Sequence, residues 1–356
     1  MRKYLKRLTL LIGGLVLFII SFWYIGLSEV FSELLKADPL LLFIAYVLFF
    51  IMMGIRTIRW KMLLRHLNIS VGYKEVLGTL LSSYYVHAVS PRALGEMYRA
   101  YMISKIDLNV SKTSSLGNTF ATVVIEKVFD VLLVIVTGVI GLIWLLLYST
   151  GDLTTIILFF GLAILIACLI IGACFNKGIF LKISNFLQAI LGIWPKKLGR
   201  ERLQHFVQVN LDRFSTSLEV LRGDRTILIR TILISTVIWL IEVLKLSFIF
   251  LALEIPLSYF ETGYIYSISA IIGFVSMIPG GIGSQEIAFI LLCSLRGVST
   301  ESSGAAVLLY RSIFLIGNVI VGGIAFFLIG SRVPIKSTIE SKFDENATES
   351  NQTIKP

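Results

Sequence analysis

Charge is scarce in this chain. Only 15% of its 356 residues are Asp, Glu, Lys or Arg, against 56% hydrophobic. A soluble domain needs more polar surface than that, which excludes a free globular protein. Cysteine is scarce too. Cys168, Cys174 and Cys293 are the only three, with no C-x-x-C spacing, which excludes a disulfide framework, an iron–sulfur cluster and a Cys-rich zinc site. Cys168 and Cys174 read as small core residues of one span. His66, His87 and His205 are too scattered to form a metal set. No cofactor and no metal is expected, and there is neither a nucleotide-binding glycine loop nor a D-x-D pair.

What is present is apolar sequence in long runs. The mean hydropathy is +0.87, and runs of about 20 residues, the length that crosses a bilayer core, recur. The expected fold class is an all-α polytopic membrane protein. The start, "MRKYLKRLTLLIGGLVLFIISFWYIGL", is basic and then apolar. Its apolar part is too long for a signal peptide and lacks a small-residue cleavage site, so it reads as a retained first span.

Six segments predict full spans, at about 8–27, 38–57, 117–148, 154–175, 227–253 and 303–330. Two more, 75–104 and 259–296, are apolar but broken near the middle by Pro and Gly. Each reads as a helix–break–helix hairpin, either re-entrant or crossing as two short spans. Residues 1–331 form one transmembrane domain in this reading, with 332–356 a polar, disordered cytoplasmic tail. Within the domain, 177–226 is a basic cytoplasmic linker of amphipathic helices. Leu203, Phe206, Val207, Leu211, Phe214, Leu218 and Leu221 share one helical face, which either lies on the anionic leaflet or caps the spans.

The net charge of +10 does not point to nucleic acid, because Lys and Arg cluster beside spans. They precede the first span, follow the second (Arg56, Arg59, Lys61, Arg65, Lys74) and crowd the linker; the other turns are poor in them. Both termini are therefore expected in the cytoplasm of a multi-pass plasma membrane protein.

The two broken hairpins match each other. Pro91 and Gly95 are spaced as Pro279 and Gly283 are, and the acids Glu96 and Glu286 follow closely. A small-residue span start comes next in each case, "SSLGN" or "SSGAA", and then a cation inside the span, Lys127 or Arg311. The orientation makes one hairpin leave from the cytoplasm and the other from outside, so the halves form an inverted repeat, a recurring plan of secondary transporters. Helices are expected to begin near Gly95 and Gly283, with amides that favour an anion such as phosphate, and Arg92 is positioned to grip it.

Other charges fall inside spans, where each costs about 2.5–3.5 kcal/mol on insertion scales. Glu126 and Asp130 share a helix face with Lys127 on its flank, and Glu242 and Lys245 can pair. These read either as transport machinery or as ion pairs that pin helices together. His87, near a hairpin apex, reads either as a proton-linked group or as a hydrogen-bonded interior residue.

Taken in order, "TIRWKMLLRHLNI", "SPRALGEMYRAYMIS", "VVIEKVFDVLL" and "IPGGIGSQEIAFILL" resemble the lysylphosphatidylglycerol synthase transmembrane family, also described as flippase-like, over about residues 8–330. In full-length bacterial members the membrane module is similar to a flippase for aminoacylated phospholipid, and other members are associated with polyprenyl-linked sugar pathways. The resemblance places Arg92, Glu96, Arg99, Glu126, Asp130, Pro279, Gly283 and Glu286 on motif positions. Two departures stand out. Lys127 occupies a place where the family often has Arg, and the chain is expected to hold only the membrane module, without the aminoacyl-transfer domain.

The expected function is a lipid transporter or flippase whose partner is a membrane lipid with a phosphate headgroup. Two other readings stand beside it: a membrane-embedded transferase of polyprenyl-phosphate-linked sugar, and a structural membrane protein without transport. The oligomeric state has no signature in the sequence.

Overall fold

A computed structural model describes residues 27–90, 92–108, 115–148, 200–275 and 283–330, together with Ile157, Gly161, Ile164 and Leu165. The expected spans at 8–27 and 154–175, the start of the linker, the tail, Pro91 and Pro279 lie essentially outside the described residues.

The described residues are helical. In chain order the helices are α1 (Leu27–Lys36), α2 (Pro39–His66), α3 (Tyr73–Val89), α4 (Arg92–Leu108), α5 (Leu116–Tyr148), α6 (Arg200–Gly223), α7 (Arg225–Ala252), α8 (Tyr259–Val275), α9 (Ser284–Ser294), α10 (Thr300–Phe314) and α11 (Gly322–Gly330). A π-helical segment, Leu315–Val321, joins α10 to α11. Four of these stretches are long and apolar enough to cross a membrane: α2, α5, α7 and the run from α10 into α11.

Local chemistry sets the ends. Asp38 caps α2 by accepting from the Leu40 amide at 2.8 Å, with Pro39 in the first turn where a missing N–H costs nothing. Asp224 caps α7 by accepting from Thr226 at 2.8 Å and Ile227 at 3.3 Å. The Ile227 amide, foremost, holds the Asp224 carboxyl below its usual range.

Both helices stop the same way. Asn68 and Glu254 take positive φ, 59° and 54°. Ile69 N donates to Leu64 O at 3.0 Å, and Ile255 N donates to Phe250 O at 2.9 Å, the six-to-one bond of a left-handed cap. The chain interval from Asn68 to Glu254 is also the interval from Asp38 to Asp224, Arg56 to Glu242, Arg59 to Lys245, Tyr73 to Tyr259 and Glu75 to Glu261. Lengths follow suit: α2 and α7 have 28 residues each, α3 and α8 have 17 each.

Packing has the same pattern. α2 lies along α7, α3 packs on α4 and on α11, and α8 packs on α9 and on α5. The short helices α3 and α8 thus each lean on a helix remote in sequence, α11 and α5. Glycine permits both approaches. A Cβ on Gly141 of α5 would sit 2.0 Å from Tyr264 Cβ of α8, and one on Gly322 would sit 2.7 Å from the Leu81 carbonyl of α3. The largest apolar cluster fills the space between α2, α7, α8, α9 and α10, around residues such as Phe49, Phe250, Tyr264 and Phe289.

Two expectations need correction. The helix of the second expected span continues past residue 57: α2 runs to His66, so Arg56 and Arg59 are helix residues and not loop residues. The helix after the first break starts at Arg92, before Gly95. For the linker helix α6, left open between the leaflet and the spans, the C-terminal half packs on the spans: Phe214, Leu218 and Leu221 bury against Ala121 and Ile125 of α5 and Leu63 of α2.

Candidate functional site

The spacing of α2 puts Arg56 and Arg59 one turn apart, three residues being close to one helical turn. Arg59 is 2% exposed. Its Nε donates to Glu126 Oε1 at 3.0 Å, and its two terminal nitrogens fork onto Asp130, at 2.5 Å to Oδ1 and 3.1 Å to Oδ2. The planar guanidinium makes this double grip possible. Glu126 and Asp130 sit four apart on α5 and so present both carboxylates on one face. Ser235 of α7 accepts a further bond from Arg59 Nη1 at 2.5 Å.

The network continues into the first hairpin. Glu126 Oε2 accepts from Arg99 Nη1 at 2.7 Å, and Arg99 Nε donates to Glu96 Oε2 at 2.6 Å. Arg99 also stacks over Trp60, 4.7 Å from the ring centroid, and Trp60 Nε1 donates to Thr122 Oγ1 at 3.0 Å. Lys127 Nζ is 2.8 Å from Glu96 Oε1, and His87 Nε2 is 3.5 Å from the same oxygen. Charges therefore alternate in sign from Asp130 through Arg59, Glu126, Arg99 and Glu96 to Lys127. Alternation offsets the cost of burying each one.

A narrow cavity opens among these groups, lined by Arg56, Arg59, Arg99, Lys127, Glu96 and Glu126 and walled by Leu80 and Tyr84. Arg56 stands apart from the other cations. Its nearest carboxylate is Asp130, at 3.9 Å, and its Nη2 reaches the Met52 sulfur at 3.9 Å. Its Nε is buried with no hydrogen-bond partner. Among the described residues, four cations (Arg56, Arg59, Arg99, Lys127) face three carboxylates (Glu96, Glu126, Asp130). With His87 neutral, these seven groups lining or adjoining the cavity carry one net positive charge.

The first hairpin folds tightly around the site. Gly95 packs against α3, where a Cβ would meet His87 Cδ2 at 2.0 Å and the Ser83 carbonyl at 2.7 Å. Arg92, at the start of α4, has its side chain outside the described residues.

The second hairpin holds its own pair. Arg311 donates through Nε to Glu286 Oε1, and its Nη2 lies in ion-pair contact with the same oxygen. Glu286 Oε2 accepts from the Gly283 amide at 2.8 Å, so the start of α9 is filled by the protein's own carboxylate. Of the amides expected there to favour an anion, that of Gly283 is taken by the acid three residues on, which reaches back to it. Glu242 and Lys245 pair at 2.5 Å, and Tyr310 Oη donates to Glu242 Oε1 at 3.1 Å.

The structure thus gathers Glu96, Arg99, Glu126, Lys127, Asp130 and His87 in one place and sets Glu286 with Arg311, and Glu242 with Lys245, in two others. It adds Arg56, Arg59, Trp60 and Ser235, which were not among the expected site residues. The signal for two of them was legible: Arg56 and Arg59 are three apart inside "GIRTIRWKMLL", with apolar residues on both sides.

The sequence profile of the lysylphosphatidylglycerol synthase TM region matches residues 8–322. A UPF0104 membrane protein of Methanothermobacter thermautotrophicus is 29% identical, covering 93% of this chain and 98% of its own. The UPF0104 membrane protein MJ1595 of Methanocaldococcus jannaschii is 25% identical, covering 94% and 98%. The glycosyltransferase AglD of Haloferax volcanii is 26% identical over 97% of this chain and 58% of its own.

Proposed function

The chain belongs to the lysylphosphatidylglycerol synthase TM region family, and from that premise we propose that this membrane protein transports a lipid, carrying a phosphate-bearing headgroup across the bilayer. The observation that carries the reading is the cavity with one cation in excess, in which Arg56 stands 3.9 Å from its nearest carboxylate while Arg59, Arg99 and Lys127 stand at 2.5, 2.6 and 2.8 Å from theirs. A monoanionic phosphodiester supplies the missing charge and the acceptor oxygens. Three groups already locked in place (Arg59, Arg99, Glu126) preorganise the site, so little side-chain order is lost on binding.

The repeat supports movement of that site. The matched caps, the matched Arg56/Glu242 and Arg59/Lys245 positions, and the matched acid–cation pairs Glu96–Lys127 and Glu286–Arg311 support a reading as two copies of one four-helix unit. Lys61, Arg65 and Lys74 mark the end of α2 as cytoplasmic, while the turn after α7 is poor in Lys and Arg. The copies then face opposite ways, with both termini in the cytoplasm, and can rock about the shared α2–α7 contact to open the cavity to each side in turn. The two copies differ in charge. The first holds the spare cation; the second, with Glu242, Lys245, Glu286 and Arg311, is neutral. The headgroup is therefore carried by the first copy.

The likeness to a protein named as a glycosyltransferase favours a second reading, in which the lipid is polyprenyl-phosphate-linked sugar and this membrane region serves its transfer. One experiment separates the two. Purified protein is extracted and its retained lipids are identified by mass spectrometry, then offered back in proteoliposomes. Translocation without chemical change is the expected result. A new glycosidic product formed by the purified protein sinks the transport reading, and retained lipids lacking any phosphate sink the site assignment.

A further inference from the structure

We infer that the cavity takes up a proton at His87 together with its anionic headgroup, through an exchange of partners at Glu96; this rests on the transport reading above.

Glu96 Oε1 is shared. Lys127 Nζ lies 2.8 Å from it and His87 Nε2 3.5 Å from it, while Arg99 holds the other oxygen at 2.6 Å. Lys127 is the exposed member, with 40% of its side chain open, whereas His87 is 10% exposed and Glu96 14%. The imidazole is fixed where it stands. Gly95 leaves room for it, and the Tyr84 ring meets it edge-on at 5.4 Å. Imidazole is the group whose charge changes between about pH 5 and 8.

A neutral His87 leaves Glu96 Oε1 to Lys127. A protonated His87 donates to that oxygen and competes for it. Lys127, a flexible ammonium on a long stem, is then released toward the cavity with its charge unspent. Every titratable or charged group facing His87 enters the count. Arg56 and Arg59 come from α2, Tyr84 from α3, Glu96 and Arg99 from α4, and Glu126, Lys127 and Asp130 from α5. The segments of the last span packed on α3, Leu315–Val321 and Gly322–Gly330, carry no titratable group. Protonation therefore raises the excess from one positive charge to two. Anion affinity is higher below the His87 pKa and falls as pH rises through it. The proton is taken from water on the loading side and leaves to water on the other side when the headgroup goes, so one proton moves with each headgroup.

The test uses the full chain in nanodiscs and short-chain phosphatidylglycerol as the probe, with inorganic phosphate beside it. Wild type is expected to bind the probe about tenfold more tightly at pH 5.5 than at pH 8.5, for one linked charge of this size. His87→Gln should flatten that dependence, and Lys127→Gln should lose the gain at low pH. ¹⁵N-histidine NMR of the wild type, which needs no variant to fold, should show His87 titrating between pH 5 and 8 and shifting upward when the probe binds. Probe binding with an unflattened pH slope in His87→Gln overturns the inference while leaving the transport reading intact. So does a His87 signal that stays neutral down to pH 5. Absence of probe binding at every pH overturns the transport reading and this inference with it. Equal binding of inorganic phosphate and probe rejects the lipid as the source of the anion.

Discussion

Arg59 of α2 and Glu126 of α5 meet at 3.0 Å with 2% and 1% of their side chains exposed. A pair this deep is held by its neighbours as much as by its own attraction, because either charge alone in that place is costly. Arg59→Leu leaves Glu126 and Asp130 under-compensated. It is expected to lower stability by about 3–5 kcal/mol, the usual cost of breaking a buried pair. Arg59→Lys keeps the charge without the fork and should fall between. Thermal unfolding in detergent reads both; a Leu variant as stable as wild type contradicts the network.

Gly95 is where the first hairpin closes on itself. Gly95→Ala places a methyl 2.0 Å from His87 Cδ2 and 2.7 Å from a backbone carbonyl that cannot swing away. Overpacking of this kind costs about 1–3 kcal/mol. Gly223→Ala, whose added methyl meets nothing within 4 Å, is the control and should be neutral or slightly stabilising. Equal melting temperatures for the two variants contradict the tight α3–α4 contact.

Orientation is tested by cysteine labelling. A cysteine at Tyr259, 40% exposed at the start of α8, should react with an impermeant reagent in intact cells. One at Lys74, exposed at the start of α3, should react only after permeabilisation. Labelling of both from the same side removes the inverted relation between the two copies.

Much of the fold was legible because long apolar runs leave a span few alternatives. The reading at 117–148 matches α5, and 227–253 matches α7, each within two residues. The reading at 38–57 stopped short for a physical reason. Arg56 and Arg59 look like residues of a loop after a span, and only the tertiary partners of Arg59 on α5 and α7 and of Arg56 on α5 account for their burial within the helix. The run at 303–330 hides a π-helical segment, where Gly317 lets the Phe49 ring approach the backbone. Nothing in local composition fixes that change of register. Glu96 and Glu286, and likewise Lys127 and Arg311, were legible as matched positions, but not that each acid pairs with its cation, since the cations lie on other helices. The roles of Gly283 and Glu286 were the least legible: the carboxylate that looked like part of an anion site caps its own helix.

The most direct measurement of the central claim is translocation of fluorescent phosphatidylglycerol in proteoliposomes by Arg56→Ala. Arg56 is the lining cation with the longest ion pair, 3.9 Å to Asp130, so its loss removes the excess charge while Arg59 still pairs with Asp130 at 2.5 Å and Glu126 at 3.0 Å. A charge-assisted grip of about 1.5–3 kcal/mol predicts a loss of roughly tenfold or more, with melting temperature near that of wild type and partial recovery in Arg56→Lys. Lys36→Ala, which removes an exposed pair on α1, should translocate normally. Full translocation by a stably folded Arg56→Ala protein contradicts the account.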